Sequence, residues 1–469
     1  MNVFSIGTHA HFTFFIGIAV VCVLAGCVQD KDSATVPGGR SDGLHRFVVI
    51  DPGHFHAALV FKRPAYDGIS PVVGIYAPVD EDFTDHMNRV IPFNKRANEP
   101  ANWQYQIHLG PDYREALFKE RFGDIAILSG RNNGKIDFIK ACVDSGFNVL
   151  ADKPWVISPE KYPILETVLS EAGKKGIIAY DIMTERYEIT SIVQKLLVNH
   201  EPVFGTITTG TAEDPAVVKH SVHHLSKVVA GNQLKRPWWF FDTSIQGEGL
   251  VDITTHLVDI VFWILHPEQP IDYKKNIEMV SAKHWPTIMT PAEYETITAK
   301  PRFPAQFKLD KDGNYPYYCN GQANFRLDGV NIQVEVIWNY VAPKGTGDTH
   351  YSIIKGTKAN VLVRQGKEQN FVPELYVEPA QGVDKAALGK ALKEFFASQK
   401  QFPSLSVVEE KDGWRIDIPQ EYRIGHEAHF GQVTDRFLEY LGGAPMPEWE
   451  NANMLAKYYV TTKALEMAE

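Results

Sequence analysis

The sequence predicts an α/β protein in which an N-terminal doubly wound parallel sheet precedes a C-terminal α+β domain with an open, mainly antiparallel sheet. Three observations carry the prediction. Between residues 46 and 185, short apolar runs alternate with helical stretches, the pattern of βαβ units. After Asp328-Gly329, the residues Val330, Ile332, Val334, Val336 and Trp338 alternate with Asn331, Gln333, Glu335 and Ile337, as in a strand with one buried face. The chain has 469 residues, too many for one ordinary domain. Two domains are therefore expected, at 46–185 and 186–469.

Composition is that of a globular protein, 44% hydrophobic and 22% charged. The net charge is −10 with no basic block, which argues against a nucleic-acid partner. Residues 12–24 are nearly all apolar but too few to span a bilayer. They end in Leu24-Ala25-Gly26-Cys27, which resembles the lipobox of bacterial lipoproteins. That resemblance implies a signal peptide at 1–26, lipidation of Cys27 and a periplasmic or outer-membrane location. Residues 27–45, with Gly38-Gly39, then read as a flexible tether. The segment before the apolar run lacks the Lys or Arg of a usual secretory signal, and a non-cleaved anchor helix is the alternative. Cys22, Cys27, Cys142 and Cys319 give neither a disulfide framework nor a Cys-based zinc site. Cys142 lies on a helical pattern and reads as a small core residue.

Taken in order, Phe47-Val48-Val49-Ile50 is the first strand. Asp51-Pro52-Gly53-His54-Phe55-His56-Ala57-Ala58-Leu59-Val60 follows as a turn and a helix start. A dinucleotide-binding fold has its Gly-x-Gly-x-x-Gly turn here. Only the middle glycine, Gly53, is present, with Asp51 and His56 in the other two places. The middle glycine is the one that lets the backbone approach a pyrophosphate. Residues 72–76 form the second strand, whose end usually carries an acidic residue for the ribose. Here Ala77-Pro78 come first, and Asp80, Glu81 and Asp82 slightly later. No Arg sits at that tip, which favours NAD over NADP. Residues 124–128 are a strand, followed by Ser129-Gly130-Arg131-Asn132-Asn133-Gly134 and a helix with Ile136, Ile139 and Val143 on its apolar face. After Ser145-Gly146, Asn148-Val149-Leu150-Ala151 is a short buried strand with Asp152-Lys153-Pro154 just past its carboxyl end. Ligands of open α/β sheets bind outside those ends, so Lys153 is a candidate site residue. Residues 162–174 are helical, and 177–180 a further strand.

The second domain opens with a helix at 187–198. Gly249 precedes a helix running to about residue 265, on which Asp252, His256 and Asp259 fall at i, i+4 and i+7, one face. Leu257, Val261 and Ile264 lie on another face. Asp328-Gly329 marks a hairpin turn, and Lys355-Gly356-Thr357-Lys358 a second turn. Residues 430–441 and 451–468 are helical. His220-Ser221-Val222-His223-His224 is not read as a metal site: adjacent imidazoles on a strand rarely reach one ion, and no partner carboxylate is signalled.

Together, Lys153-Pro154 and Asp252-Ile253-Thr254-Thr255-His256-Leu257-Val258-Asp259 resemble the glucose–fructose oxidoreductase/inositol dehydrogenase (Gfo/Idh/MocA) family. That family carries Glu-Lys-Pro at the end of a nucleotide-domain strand, and a Gly-rich turn followed by Asp-x-x-x-His-x-x-Asp. Asp152 stands in place of the Glu, Asn132 where the family has an Asn before a helix, and Arg186-Tyr187 is similar to its Arg-Phe. The likeness covers roughly residues 46–440. The turn from Asp51 to Val60, the stretch Asp181-Ile182-Met183-Thr184-Glu185-Arg186-Tyr187 and the stretch Gly347-Asp348-Thr349-His350-Tyr351 are similar to a Bacteroidetes lipoprotein subgroup of that family.

The resemblance implies a Rossmann domain binding NAD and oxidation of a sugar or glycoside hydroxyl, at C3. Lys153 and His256 would be the acid/base pair, and Asp252 would orient them or contact the sugar; Asp259 would be structural. The cofactor would meet Asp51, Gly53, His54, Phe55, His56, Asn132, Asp152 and Lys153. The substrate would meet Arg186, Tyr187, His223, His224, Trp238 and Trp239. Trp238-Trp239, rimmed by Lys235-Arg236, read as a sugar-stacking wall or equally as a core pair. Whether Lys153 or His256 takes the proton stays open: a free lysine at ~10.4 is a poor base, which burial beside a cationic nicotinamide would improve. No metal is expected. Outside the cytoplasm there is no free NAD pool, so the cofactor would be held tightly and regenerated in place. The membrane would be met through the lipid alone, and the open sheet suits a homo-oligomer. Two rivals stand beside this reading: an NAD-dependent glycoside hydrolase working by transient oxidation, and a non-catalytic sugar-binding lipoprotein.

Overall fold

The computed structural model describes residues 43–468 other than 230, 231 and 345. The predicted signal peptide, Cys27 and all but the last three residues of the tether lie outside the described residues.

Strands β1 (Phe47–Ile50), β2 (Val72–Ala77), β3 (Gln104–Leu109), β4 (Ile125–Leu128), β5 (Asn148–Asp152) and β6 (Ala179–Ile182) form one sheet in the order β3-β2-β1-β4-β5-β6. Every pairing in it is parallel. Helices α1 (His56–Leu59), α2 (Glu81–Lys95), α3 (Tyr113–Glu120), α4 (Lys135–Asp144) and α5 (Tyr162–Lys175) make the crossovers. β1 and β4 are buried at every position, as in a sheet covered on both faces. They are neighbours although β2 and β3 intervene in sequence, so strand order reverses between them, and ligands of such sheets gather outside the carboxyl ends at that point. β6 starts two residues later than the expected 177–180. Gly176, at φ +66°, ends α5 in the left-handed region, and the Ile177 amide turns back to the Ala172 carbonyl at 2.9 Å before the chain can extend.

The second sheet has nine strands, ordered Ile277–Met289, Tyr315–Leu327, Val330–Val341, β7 (Val217–Ser226), Thr349–Lys355, Ala359–Arg364, Glu374–Pro379, Trp414–Asp417 and Ser406–Glu409. Only the pairing of β7 with Val330–Val341 is parallel. The predicted hairpin is present: Leu327 pairs with Val330, and Asp328 and Gly329 take φ of +49° and +82°, the two positive values of a type I′ turn. Val330, Ile332, Val334, Val336 and Trp338 are all buried. They share a core with α6 (Ile189–Val198) and the helix Thr254–Leu265. α6 begins later than 187 because Thr184–Tyr187 forms a separate 3-10 turn.

The last helix, Glu448–Ala468, joins the two sheets. Met454 and Tyr458 pack into the core of the parallel sheet, and Ala456, Val460 and Ala464 into that of the other. The Tyr458 hydroxyl accepts from the Trp155 amide and donates to Asp181 Oδ2, both at 2.9 Å. Lys457, only 1% exposed, reaches Asp181 at 2.7 Å and Asp259 at 3.4 Å. Each charge in this network has an opposite partner, the condition under which buried charges persist. Among the described residues no helix is long and apolar enough to cross a membrane. Cys142 and Cys319 are buried free thiols.

Candidate active site

Lys153 leaves the carboxyl end of β5 and precedes Pro154 through a cis peptide. Trp155 pins the segment, its indole N–H donating to the Ala151 carbonyl at 3.1 Å. The Lys153 ammonium pairs with Asp252 Oδ1, and Gln246 Nε2 donates to the other carboxylate oxygen at 3.0 Å. Burial alone would raise the Asp252 pKa, but Lys153 and Gln246 outweigh it and hold the carboxyl below the usual range.

Asp252 does not lie on the helix face expected of it. It sits in the turn before Thr254, where the Glu248 carbonyl accepts from the amides of Val251 and Asp252 at 3.0 Å. Gly249 fixes that winding: a Cβ there would fall 2.0 Å from the Cys319 carbonyl oxygen. Asp259, one turn after His256, points instead into the Arg186–Lys457 network.

His256 is in the first turn of the helix Thr254–Leu265. Its Nδ1 is buried and has no partner among the described residues. Burial, then the charges of Lys153 and His426, hold its pKa well below the ordinary 6.5, so the ring is neutral. On the nucleotide side, His56 Nδ1 lies 2.8 Å from Asp152 Oδ2, Ser129 donates to the same oxygen at 3.0 Å, and His54 Nδ1 is 3.4 Å away. Burial pushes His56 down to about 4. His54, His56 and Asp152 place donor atoms within 4.8 Å of one another, close enough for a cation. Asp152 Oδ2 holds His56 and Ser129, while the buried His54 Nδ1 has no hydrogen-bond partner among the described residues. Lys135 was not singled out from the sequence. It is buried at the start of α4, donates to Asn132 Oδ1 at 2.5 Å and to the Asp152 carbonyl at 3.0 Å, and burial lowers it to about 8. Its i+3 spacing from Asn132 was the available signal.

Three expectations about the nucleotide turn need correction. The space over Gly53 is filled, since a Cβ there would meet Trp239 Cζ2 at 2.9 Å and Asp82 Oδ2 at 3.0 Å. Its missing side chain therefore serves the approach of the second lobe. An arginine does reach the tip of β2: Arg131 lies 3.1 Å from Asp51, 3.3 Å from Asp80 and 2.6 Å from Asp82. Three carboxylates engage it, so a 2′-phosphate would meet net negative charge. The Asn132 carboxamide is used internally, donating to the Gln246 carbonyl at 2.7 Å and accepting from Lys135. Beside the turn lies an open, shallow cleft lined by Gly53, His54, Phe55, His86, Arg89 and Arg236. The Arg236 side chain donates to the carbonyls of Leu225 and His224, and both ring nitrogens of the buried His86 lack partners among the described residues. With neutral carbonyls as its hydrogen-bond acceptors, the Arg236 guanidinium keeps its positive charge for phosphate oxygens.

The expected substrate residues divide. Arg186 is committed elsewhere, gripping Asp259 with two bonds of 2.7 Å and Glu450 at 2.8 Å, and stacking on Trp449. Tyr187 packs against the outer core that holds Phe430 and Tyr440. Trp239 is fully buried and its indole N–H donates to Asp82 Oδ2 at 2.8 Å, so it is a core residue and not a stacking wall; Trp238 is half-buried. His223 and His224 gather around Asp348. Glu185 and Lys219, unassigned by the sequence reading, also neighbour the site. Burial and Glu188 raise Glu185 to about 7 against the pull of Lys219 and Lys153.

A parallel sheet with a lysine past β5, meeting an aspartate and a histidine from an α+β lobe, defines a two-lobed oxidoreductase of dinucleotide-binding type. A family profile described as "Putative oxidoreductase C terminal domain" matches residues 193–469. A solved structure described as "a putative oxidoreductase from Parabacteroides merdae ATCC 43184" is 45% identical, with a TM-score of 0.88 over 91% of this chain and 98% of its own. The chain belongs to this oxidoreductase family. Levoglucosan dehydrogenase in complex with NADH and levoglucosan is 15% identical, with a TM-score of 0.56 over 90% of this chain and 97% of its own. A 3-ketoreductase from Actinomadura kijaniata in complex with NADP is 12% identical, with a TM-score of 0.52 over 89% and 96%. These two share the fold, and the likeness read from the Lys-Pro and Asp-x-x-x-His-x-x-Asp motifs is borne out at that level. A search of curated proteins returns no match.

Proposed function

We propose that the chain is an NAD-dependent oxidoreductase that oxidises a secondary hydroxyl of a sugar or glycoside, at C3, with the cofactor tightly held. The observation that carries this reading is the meeting of Lys153 with Asp252 beside the neutral His256 at the end of β5. The shared fold with a dehydrogenase solved with NADH and a sugar supports it. NAD, when bound, supplies the hydride acceptor. The chain's own residues supply the rest. Neutral His256 takes the hydroxyl proton as the carbinol is oxidised. The Lys153 ammonium donates to the developing alkoxide, and Asp252, its second oxygen fixed by Gln246, holds that ammonium in place. Arg89, Arg236 and His86 would meet the cofactor phosphates.

Further parts of the reading concern organisation. Residues 46–185 would bind cofactor, and 186–469 substrate. The leader would be cleaved before Cys27, leaving a lipid-anchored periplasmic or outer-membrane protein, with a homo-oligomer formed through the open sheet. Mass spectrometry of the denatured protein tests the central claim, with NAD released from the purified chain expected. Lys153→Ala and His256→Ala should lose nearly all turnover while keeping that NAD. Unchanged turnover in both would end the assignment. Label from a lipid analogue should vanish in Cys27→Ser.

A further inference from the structure

On the second-lobe side of the Lys153 site, Asp348 gathers the end of β7. Its carboxylate lies 3.0 Å from His224 Nδ1 and 3.4 Å from His223 Nδ1, and pairs with the Lys227 ammonium. Burial would raise the Asp348 pKa, but His223 and Lys227 outweigh it and keep the carboxyl well below the usual range. An ionised carboxylate only accepts hydrogen bonds. The His223 proton therefore belongs on Nδ1, and Nε2 keeps its lone pair.

That Nε2 is buried and has no partner among the described residues. The ring is boxed in, tilted 31° against Trp338 at 4.9 Å and edge-on to His350 at 5.6 Å. Strand register pairs Lys219 with Val334, Ser221 with Val336 and His223 with Trp338, so His223 lies on the core-facing side of the sheet. Burial, then Lys227 and Lys153, lower its pKa against the pull of Asp348, and the ring stays neutral. Asp348 and His350 alternate within Gly347-Asp348-Thr349-His350-Tyr351, which is how one short stretch contacts His223 twice.

We infer that His223 is a substrate-recognition residue whose Nε2 accepts a hydrogen bond from a sugar hydroxyl other than the one oxidised, with Asp348 as the positioning residue that fixes its tautomer. This rests on the sugar oxidation proposed above. A buried acceptor left unpaired is costly, and a ligand bringing an O–H or N–H would satisfy it. A ring with a second free hydroxyl fits, and one deoxygenated at that position does not.

The test uses the protein as purified, with methyl β-glucopyranoside and its singly deoxygenated analogues as probes. In the wild type, loss of one hydroxyl beyond the oxidised one should lower kcat/KM about 100-fold or more, and in His223→Leu the same loss should cost less than about 5-fold. His223→Gln, whose amide oxygen also accepts, should recover part of the discrimination. Asp348→Asn should raise KM with kcat little changed. Bound NAD should be unaltered in all three variants, and melting temperature in the two His223 variants. Equal penalties in wild type and His223→Leu, or loss of cofactor from His223→Leu, would overturn the inference. A wild type that carries no NAD and oxidises none of the probes would instead sink the oxidoreductase reading. The dyad is then decided by the ¹⁵N shift of His223: an unprotonated Nε2 at neutral pH is expected, and a protonated one refutes it.

Discussion

Lys153 and Asp252 meet between the two lobes with only 8% of each side chain exposed. A charge buried to that degree depends on its partner, and removing one partner costs about 3–5 kcal/mol. Asp252→Leu and Lys153→Met should each lower stability by about that amount. The double variant should lose less than either single one, because no unpaired charge is left. Urea unfolding measures all three. Simple addition of the two single losses would show that the pair is not coupled. Turnover should be lost in the double variant even where stability returns, which separates the chemical role from the structural one.

The acid side of the pH–rate profile reports on His256. Its neutral form takes the proton, so activity falls as pH drops through its pKa. Burial, Lys153 and His426 depress that pKa below 6.5, so the acid limb should lie below pH 6.5. The profile of kcat/KM against pH checks this. A limb at or above 6.5 that disappears in His256→Asn would mean that the imidazole is not buried beside the ammonium in the working enzyme.

Local pattern made much of this molecule legible. The βαβ alternation gave the parallel sheet, the Asp328-Gly329 turn with strict alternation gave the hairpin, and Lys153 stood out because it ends a buried strand before a proline. What sequence could not show was set by partners far along the chain. Asp252 leaves the helix because Gly249 presses on the carbonyl of Cys319, which no local pattern carries. Arg186 resembled a substrate residue, yet Asp259 and Glu450 claim its guanidinium. Trp239 resembled a stacking wall, yet Asp82 and Gly53, in the other lobe, enclose it. Asp348 and His350 lay in a stretch noted only for its resemblance, and their meeting with His223 needs the pairing of Thr349–Lys355 with β7.

The two glycines should respond differently to alanine. At Gly249 the added Cβ meets backbone, the Cys319 carbonyl oxygen at 2.0 Å, so the turn carrying Asp252 must move. At Gly53 it meets side chains, Trp239 at 2.9 Å and Asp82 at 3.0 Å, which can give way in part. Gly249→Ala should therefore lose more than about 3 kcal/mol, and Gly53→Ala about 1–2 kcal/mol. Denaturant midpoints would reveal the order. The reverse order would mean that the lobes are held by Trp239 on Gly53 more firmly than by the turn.

Lys457 anchors the last helix beneath both lobes, 1% exposed, with Asp181 at 2.7 Å. Lys457→Met leaves Asp181 without its cation in a buried site, and a loss of about 3–5 kcal/mol is expected in urea unfolding. Tyr458, next in sequence, ties Asp181 to the amide of Trp155, two residues after Lys153. The variant should therefore also lower kcat in whatever fraction remains folded. Full activity at reduced stability would mean that the Trp155 segment keeps its place without this network.

Glu185 gives a stability signal with a defined sign. Its carboxyl is raised from 4.5 to about 7, chiefly by burial, so between those values the folded state holds a proton that the unfolded state has released. The stability this contributes is complete below pH 4.5 and is lost as pH rises through about 7. A shift of that size corresponds to about 3.4 kcal/mol in full, of which roughly 2.5 kcal/mol falls between pH 5 and pH 8. Glu185→Gln removes the titration without removing the volume. The stability of Glu185→Gln relative to wild type should thus rise by about 2–3 kcal/mol between pH 5 and pH 8. Taking the difference between the two proteins largely cancels other groups that titrate nearby, such as Lys219, lowered to about 8 by burial. Unfolding curves at the two pH values decide it: a difference independent of pH would place the Glu185 carboxyl in water, away from Glu188 and the Lys153 site.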